Sequence, residues 1–376
     1  MPKILYFVAE DWFFVSHFLP MARAAEGCGL EVAVATHVGD EKKRLEAEGC
    51  RVIAVKVDRG SVSLTRFVAE FVQAFKIVRS EDPDVVHCIA LRSIIVSGTA
   101  AKIAGAKALV LAPTGLGHLW LGRGIVAWLI RRGVRALVGF WLRGPCTRYL
   151  FENRDDPGAF GLEANAPDLA FVGGAGVDPA QFPMTAEPPA PPVKVAVVAR
   201  MIRPKGIAEA VEAVARLRGN GMPVELDLYG RPDPSNPLSI PEEALRQWSA
   251  APGIAWRGHE TDVARVWRDH HVALFLSTYP EGLPRTLVEA AASGRPIVTS
   301  DAPGCREMVR DAVEGFLVPP GDAEAAARAL GRLASDAALR ARMGAAANAR
   351  FREGFTEDAV KRAVGSLYRS LLHQPD

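Results

Sequence analysis

Short runs of Val, Ile, Leu and Ala alternate along the chain with longer segments whose apolar positions recur at helical spacing. A strand covered on both faces is apolar throughout, and a parallel neighbour can form only after the chain has crossed back, usually through a helix. The alternation therefore predicts β-α-β units around parallel sheets. In the first half, strands are expected near residues 4–9, 31–36, 85–88, 108–111 and 147–151. In the second half they are expected near 194–199, 225–229, 254–256, 272–276, 296–299 and 316–318. The pattern runs twice, and between the runs stand Pro183, Pro188, Pro189, Pro191 and Pro192. Proline removes backbone donors, so this stretch reads as a stiff linker between two domains. The expected fold class is α/β, with two doubly wound Rossmann-like domains facing across a cleft. Ligands of open α/β sheets bind at the carboxyl ends of the strands, so function is sought on the loops that follow them.

Length agrees with two cores: 376 residues at 49% hydrophobic composition suit two domains of roughly 150–200 residues. With 45 Lys and Arg against 43 Asp and Glu, bulk charge gives no reason to expect a nucleic-acid partner. The charge is unevenly placed, however. No acid occurs between Asp84 and Glu152, where Arg92, Lys102, Lys107, Arg123, Arg131, Arg132, Arg135, Arg143 and Arg148 all fall. Cys28, Cys50, Cys88, Cys146 and Cys305 are scattered, without spacing suited to zinc, and read as buried thiols. The first strand runs into Glu10 and Asp11, too soon for a signal peptide, and arginines break the most apolar region, 108–142, into pieces too short to span a bilayer. A cytoplasmic location is expected.

Two loops concentrate chemistry. After the strand near 194–199 come Arg200, Pro204, Lys205 and Gly206, with a helix expected to begin at Pro204. Free N–H groups at a helix start favour an anion, and two full cations beside them suit a diphosphate. After the strand near 272–276 comes a turn with Glu281, Gly282, Leu283 and Pro284, then a helix carrying Glu289. Eight residues at about 100° each leave Glu289 about 80° past two full turns from Glu281, so the two carboxylates are not a stacked pair. They read as two separate graspers, Glu281 with the backbone of residues 282–284 at an exposed turn.

The pair Glu281 and Glu289, seven residues between them, resembles the signature of family 4 of the retaining glycosyltransferases, which have the GT-B fold. Arg200 and Lys205 stand where that family's diphosphate-binding cations stand, and the stretches 303–307 and 315–321 are also similar. The N-terminal run 11–17, the run 229–240 and Gly176 with Asp178 resemble the branch that builds capsular and other cell-surface polysaccharides. The resemblance implies a hexosyl- or N-acetylhexosaminyltransferase using a UDP-sugar. Arg200 and Lys205 would hold the diphosphate, Glu281 the sugar hydroxyls and Glu289 the ribose, with no metal and no other cofactor. It implies an acceptor-binding domain over 1–184, a nucleotide-sugar-binding domain over 185–354, and a final helix over 355–376 packing back on the first. The acceptor would be a saccharide on a polyprenyl diphosphate. Alternatives of the same architecture are a sugar phosphorylase, a nucleotide-sugar epimerase and a non-catalytic nucleotide-sugar-binding protein.

One position departs from the family's pattern. The loop that faces the donor sugar commonly carries His before Gly, whereas here Thr114 precedes Gly115. Thr can hydrogen-bond a hydroxyl but does not titrate near neutrality. His17 and His118 are the nearby candidates on the acceptor side or in the loop. Trp128, Arg131, Arg132 and Arg135 share one helical face by their spacing, with Ile125, Leu129 and Leu137 expected to turn into a core. With the acid-free run around it, that face is expected to dock on an anionic membrane, placing the chain on the inner face of the plasma membrane.

Overall fold

The computed structural model describes residues 1–56, 64–117, 120, 122, 124–234 and 236–372. They divide into two units, Met1–Gly176 with Glu357–Asp376, and Val177–Thr356.

The first unit is built on β1 (Lys3–Glu10), β2 (Glu31–His37), β3 (Arg51–Ala54), β4 (Val85–Ile89), β5 (Ala108–Ala112), β6 (Thr147–Phe151) and β7 (Leu169–Phe171). They form one parallel sheet in the order β3-β2-β1-β4-β5-β6-β7. Every residue of β4 and β5 is buried, which is why β5 reads as an unbroken apolar run and β4 as one interrupted only by His87. The second unit contains β8 (Val193–Val198), β9 (Val224–Tyr229), β10 (Ile254–Gly258), β11 (Val272–Phe275), β12 (Ile297–Ser300) and β13 (Gly315–Val318), again all parallel, in the order β10-β9-β8-β11-β12-β13. This is the α/β architecture that the hydrophobic pattern predicts. The edge strands β3 and β7 are additions to it, four and three residues long with no buried position in either. In each sheet the chain reverses its direction of travel next to the first strand, between β1 and β4 and between β8 and β11. The flanking loops there leave on opposite faces and open a crevice at the carboxyl ends.

The proline-rich stretch is tied into the second unit. Arg295, fully buried, donates through Nε to the Trp267 carbonyl at 2.7 Å and through Nη2 to the Ala186 carbonyl at 3.1 Å. Glu187 pairs with buried Arg340 at 3.1 Å, and the Pro188 carbonyl accepts from His271 Nε2 at 3.0 Å. The Ala-rich segment beyond forms two helices, Ala323–Ser335 and Ala337–Gly354, whose first turns are capped by the carboxylates of Asp322 and Asp336.

The last helix, Glu357–Leu372, packs in the first unit through Val360, Val364, Leu367, Tyr368 and Leu371. Tyr368 Oη lies 2.7 Å from Tyr6 Oη and 2.8 Å from His87 Nδ1, and Tyr6 Oη lies 3.1 Å from the Met21 carbonyl. All three bonds form together in one direction only: His87 Nδ1–H donates to Tyr368, Tyr368 to Tyr6, and Tyr6 to Met21. Burial pushes the His87 imidazole from its ordinary 6.5 down to about 3. Between about pH 3 and 6.5 the unfolded chain therefore binds up to one proton more than the folded one. Stability from this group is complete above pH 6.5 and is lost as pH falls towards 3. We expect His87 to remove about 1.5–2 kcal/mol of unfolding free energy between pH 6.5 and 5, read by urea titration. His87→Gln should flatten that slope, and an equal slope in parent and variant would contradict the assignment.

Candidate functional site

The loops that follow β8 and β11 carry Arg200, Lys205 and Glu281. After β8 the chain runs through Arg200 to a short turn at Arg203–Lys205, with Pro204 inside it, and the helix Ile207–Gly219 begins only after Gly206. The helix thus starts three residues later than proline placement suggests. Gly206 has φ +71°, and a Cβ there would lie 2.0 Å from the Leu276 carbonyl oxygen, so no other residue fits this crossing. Thr278 N donates to the Pro204 carbonyl at 2.8 Å, pinning the cation loop to the end of β11.

That clamp brings together side chains 76 residues apart. Lys205 Nζ lies 2.7 Å from Glu281 Oε1, with only 12% and 11% of the two side chains exposed. Ser277 Oγ donates to the same oxygen at 2.7 Å. The ammonium also lies 5.1 Å from the Phe275 ring centre and 5.4 Å from that of Tyr279. Burial works against the lysine's charge, but Glu281 and Tyr279 outweigh it, and its pKa lies above the usual lysine range. Lys205 is therefore a fixed cation, desolvated and held in one place.

Arg200, half exposed, pairs at 3.2 Å with Asp233, a residue that sequence reasoning did not single out. Asp233 sits on the loop after β9, which is knitted to the cation loop: Met201 N donates to the Arg231 carbonyl, Arg203 N to that of Leu238, and Ile240 N to that of Met201. Its place beyond a strand's carboxyl end, in a run of turn residues, was the available signal.

Glu281 precedes the helix Arg285–Ala292, so its distance from Glu289 does not follow helical geometry. Residues 282–284 are buried and Glu281 is half-buried, which corrects the expectation of an exposed turn. Glu281 N is held by the Pro303 carbonyl at 3.3 Å. Glu289 is buried and accepts from Arg285 Nε at 2.8 Å. Its burial raises the carboxyl pKa despite the opposing pull of Arg285.

In the first unit, His17 ends the helix Asp11–His17 with Nδ1 2.7 Å from Ser16 Oγ and its ring 4.7 Å from that of Phe13. Asp11 is spent on backbone, accepting from Gly39 N at 2.6 Å and Glu41 N at 3.2 Å. Thr114 and Gly115 follow β5, both half-buried, and His118 lies outside the described residues. Trp128, Arg131, Arg132 and Arg135 do lie on a helix, Ile125–Arg135. Ile125 and Leu129, expected in a core, are instead 68% and 54% exposed, while Val134 is the buried residue and Leu137 packs against the core. Cys146 is exposed, contrary to the reading of all five thiols as buried. Among the described residues no three His, Cys, Asp or Glu side chains are grouped as a metal centre would require. No helix among them is long and apolar enough to cross a membrane.

Residues 3–134 match the family model described as glycosyl transferase 4-like, and residues 192–336 match that of glycosyl transferases group 1. The capsular polysaccharide biosynthesis glycosyltransferase CapM of Staphylococcus aureus is 26% identical over 48% of this chain, which spans 46% of that relative. The N,N'-diacetylbacillosaminyl-diphospho-undecaprenol α-1,3-N-acetylgalactosaminyltransferase of Campylobacter jejuni is 24% identical over 87% of this chain and 88% of its own length. Among solved structures, Anabaena HepE in complex with UDP-glucose superposes with a TM-score of 0.74 at 18% identity, covering 98% of this chain and 100% of that one. That likeness shows the fold, which is GT-B. Both halves of the chain carry glycosyltransferase domains.

Proposed function

We propose that the chain is a retaining glycosyltransferase that moves a sugar from UDP to a saccharide on a polyprenyl diphosphate, in the synthesis of a cell-surface polysaccharide. The observation that carries this reading is the Lys205–Glu281 pair, a desolvated cation and a carboxylate 2.7 Å apart at the strand-order reversal of the second sheet. A diphosphate needs fixed positive charge as it departs, and a hexose needs acceptors for its hydroxyls. The pair offers both within one sugar's length. The UDP-glucose bound by the Anabaena neighbour and the diphospho-undecaprenol named for the Campylobacter relative support the choice of donor and acceptor.

In this reading Lys205 and Arg200 take up the negative charge that builds on the leaving diphosphate as the bond from its oxygen to the anomeric carbon breaks. Both cations are prepaired in the free chain, with Glu281 and Asp233, so the donor's phosphates enter beside Lys205 and draw Arg200 from Asp233. Glu281, released from its full hold on Lys205, accepts hydrogen bonds from the sugar hydroxyls. Glu289, deep in its helix and anchored by Arg285, keeps an oxygen for the ribose. The acceptor hydroxyl attacks from the face the diphosphate leaves, and its proton passes to a departing phosphate oxygen, so no covalent enzyme intermediate forms. Gly282, Leu283 and Pro284 shape the turn against the donor; Thr114 and Gly115 take the loop position of the family's His, and His17 stands on the acceptor side.

Two cations at the phosphate do what a divalent ion does in other sites, and we expect no metal requirement. Incubation with a labelled UDP-sugar and an undecaprenyl-diphosphate-linked saccharide should give transfer that persists in excess chelator. Release of an epimerised nucleotide sugar, or strict dependence on an added divalent ion, would count against the proposal. The exposed apolar residues of the helix Ile125–Arg135, flanked by its arginines, support docking on an anionic bilayer at the cytoplasmic surface, where such an acceptor resides.

A further inference from the structure

The main chain at Glu281 is fixed from one side by its neighbour loop. Glu281 N donates to the Pro303 carbonyl at 3.3 Å, and Gly304, at φ +80°, lies so close that an added Cβ would come within 2.8 Å of the Glu281 carbonyl oxygen and 2.2 Å of that of Gly282. Only glycine lets the two loops meet there. The side chain beyond has several torsions, so what it presents to a ligand depends on how its carboxylate is held. Two groups converge on the same oxygen: Lys205 Nζ and Ser277 Oγ each lie 2.7 Å from Glu281 Oε1.

These two holders differ in kind. Lys205 carries its ammonium on a long flexible stem with several protons to share, so it can turn to a phosphate. Ser277 carries its hydroxyl directly on Cβ and stands fully buried just beyond the end of β11. Its hydroxyl lies 2.7 Å from Glu281 Oε1 and 3.3 Å from each of the Pro204 and Tyr279 carbonyls. It has a single proton, and the short contact to a carboxylate takes it, because a bond to a charged acceptor is the strongest of the choices. The Pro204 carbonyl is served by its 2.8 Å bond from Thr278 N. The clamp between the two loops therefore stands on main-chain groups, and the serine proton is left for the carboxylate.

We propose that Ser277 is a positioning residue of the donor site: it holds Glu281 Oε1 in place while Lys205 turns to the diphosphate, so that the carboxylate stays aimed at the sugar hydroxyls. The inference rests on the transferase reading for the roles of Lys205 and Glu281. Without the serine, a carboxylate released by the ammonium takes other rotamers, and the sugar loses its partner at the moment the bond to the diphosphate breaks. UDP, which has no sugar, is indifferent to that loss. The serine therefore acts on turnover and leaves the hold on the phosphates unchanged.

The test offers UDP-glucose, UDP-galactose, UDP-N-acetylglucosamine and UDP-N-acetylgalactosamine to the full chain with water as acceptor, follows UDP release, and keeps the donor that the parent turns over fastest. Ser277→Ala removes the hydroxyl and adds no bulk. It should lower kcat about tenfold, the worth of one hydrogen bond to a charged group, while calorimetry finds its affinity for UDP within about twofold of the parent. Ser277→Cys, a weak donor of similar shape, should show a comparable loss, which separates the missing bond from a missing atom. In a Glu281→Gln background, where no charge remains for the serine to hold, adding Ser277→Ala should cost less than about threefold. Parental kcat in Ser277→Ala or Ser277→Cys, a loss of UDP affinity parallel to the loss of turnover, or an undiminished effect in the Glu281→Gln background would each overturn the proposal. A parent that binds no UDP, or turns over none of the four donors, would bring down the transferase reading itself and this inference with it.

Discussion

Lys205→Ala should lower kcat/KM for the UDP-sugar by about 10- to 100-fold, through weaker donor binding and slower departure of UDP together. The size follows from where the lysine sits. Its side chain is only 12% exposed, so the charge acts with little screening by water, and the Gly206 crossing fixes its loop against β11. Removing it takes the ammonium away from Glu281, which keeps its 2.7 Å bond from Ser277, and leaves that carboxylate facing the incoming phosphates without the lysine's charge. Arg200→Ala should do less, because its guanidinium is half exposed and already shared with Asp233. Steady-state kinetics with donor varied at saturating acceptor reads both. Parental kcat/KM in the Lys205 variant would place the diphosphate elsewhere.

The second large effect is expected for Glu281→Gln, with turnover falling by about 10²- to 10³-fold, the usual loss when one preorganised polar partner of a reacting centre is removed. The amide nearly preserves shape and still accepts hydrogen bonds, so the loss isolates the carboxylate's charge. Binding of UDP itself should be retained or tightened in this variant, because Lys205 is freed from its pairing partner. Single-turnover measurement separates the two quantities. Full turnover by Glu281→Gln would remove its assignment to the sugar; a parallel loss of UDP affinity would move it to the phosphates.

Several of these features were legible in the chain and others were not, for physical reasons. Strands β5 and β11 announce themselves because both faces are covered and no polar position falls inside them, and β4 and β8 are each interrupted only once, by His87 and Lys194. Strands β3 and β7 lie at the two edges of the first sheet, partly solvated, and at four and three residues they are too short for a periodicity to show. Arg200, Lys205 and Glu281 could be located beyond strands, but the pairing of Lys205 with Glu281 depends on β8 and β11 being neighbours, which strand count alone does not determine. Asp233 was overlooked for the same reason, since β9 brings its loop to β8 from the other side. Periodicity put Trp128 and the arginines on one face of a helix, yet it carries no information about which face is covered. Ile125 and Leu129 therefore came out exposed where burial was expected. Glu289 was legible as a helical carboxylate, whereas its burial and its bond to Arg285 depend on the packing of the whole helix.

The central claim is that the crevice between β8 and β11 holds a nucleoside diphosphate by the Lys205 charge. Isothermal titration of UDP into the parent chain, with Lys205→Ala titrated beside it and both folded by circular dichroism, addresses it without any need for the acceptor. The account predicts one site per chain in the parent, filled in the presence of chelator, and binding at least about tenfold weaker in the variant. Absence of UDP binding by the parent, or equal affinity in the two proteins, would contradict it.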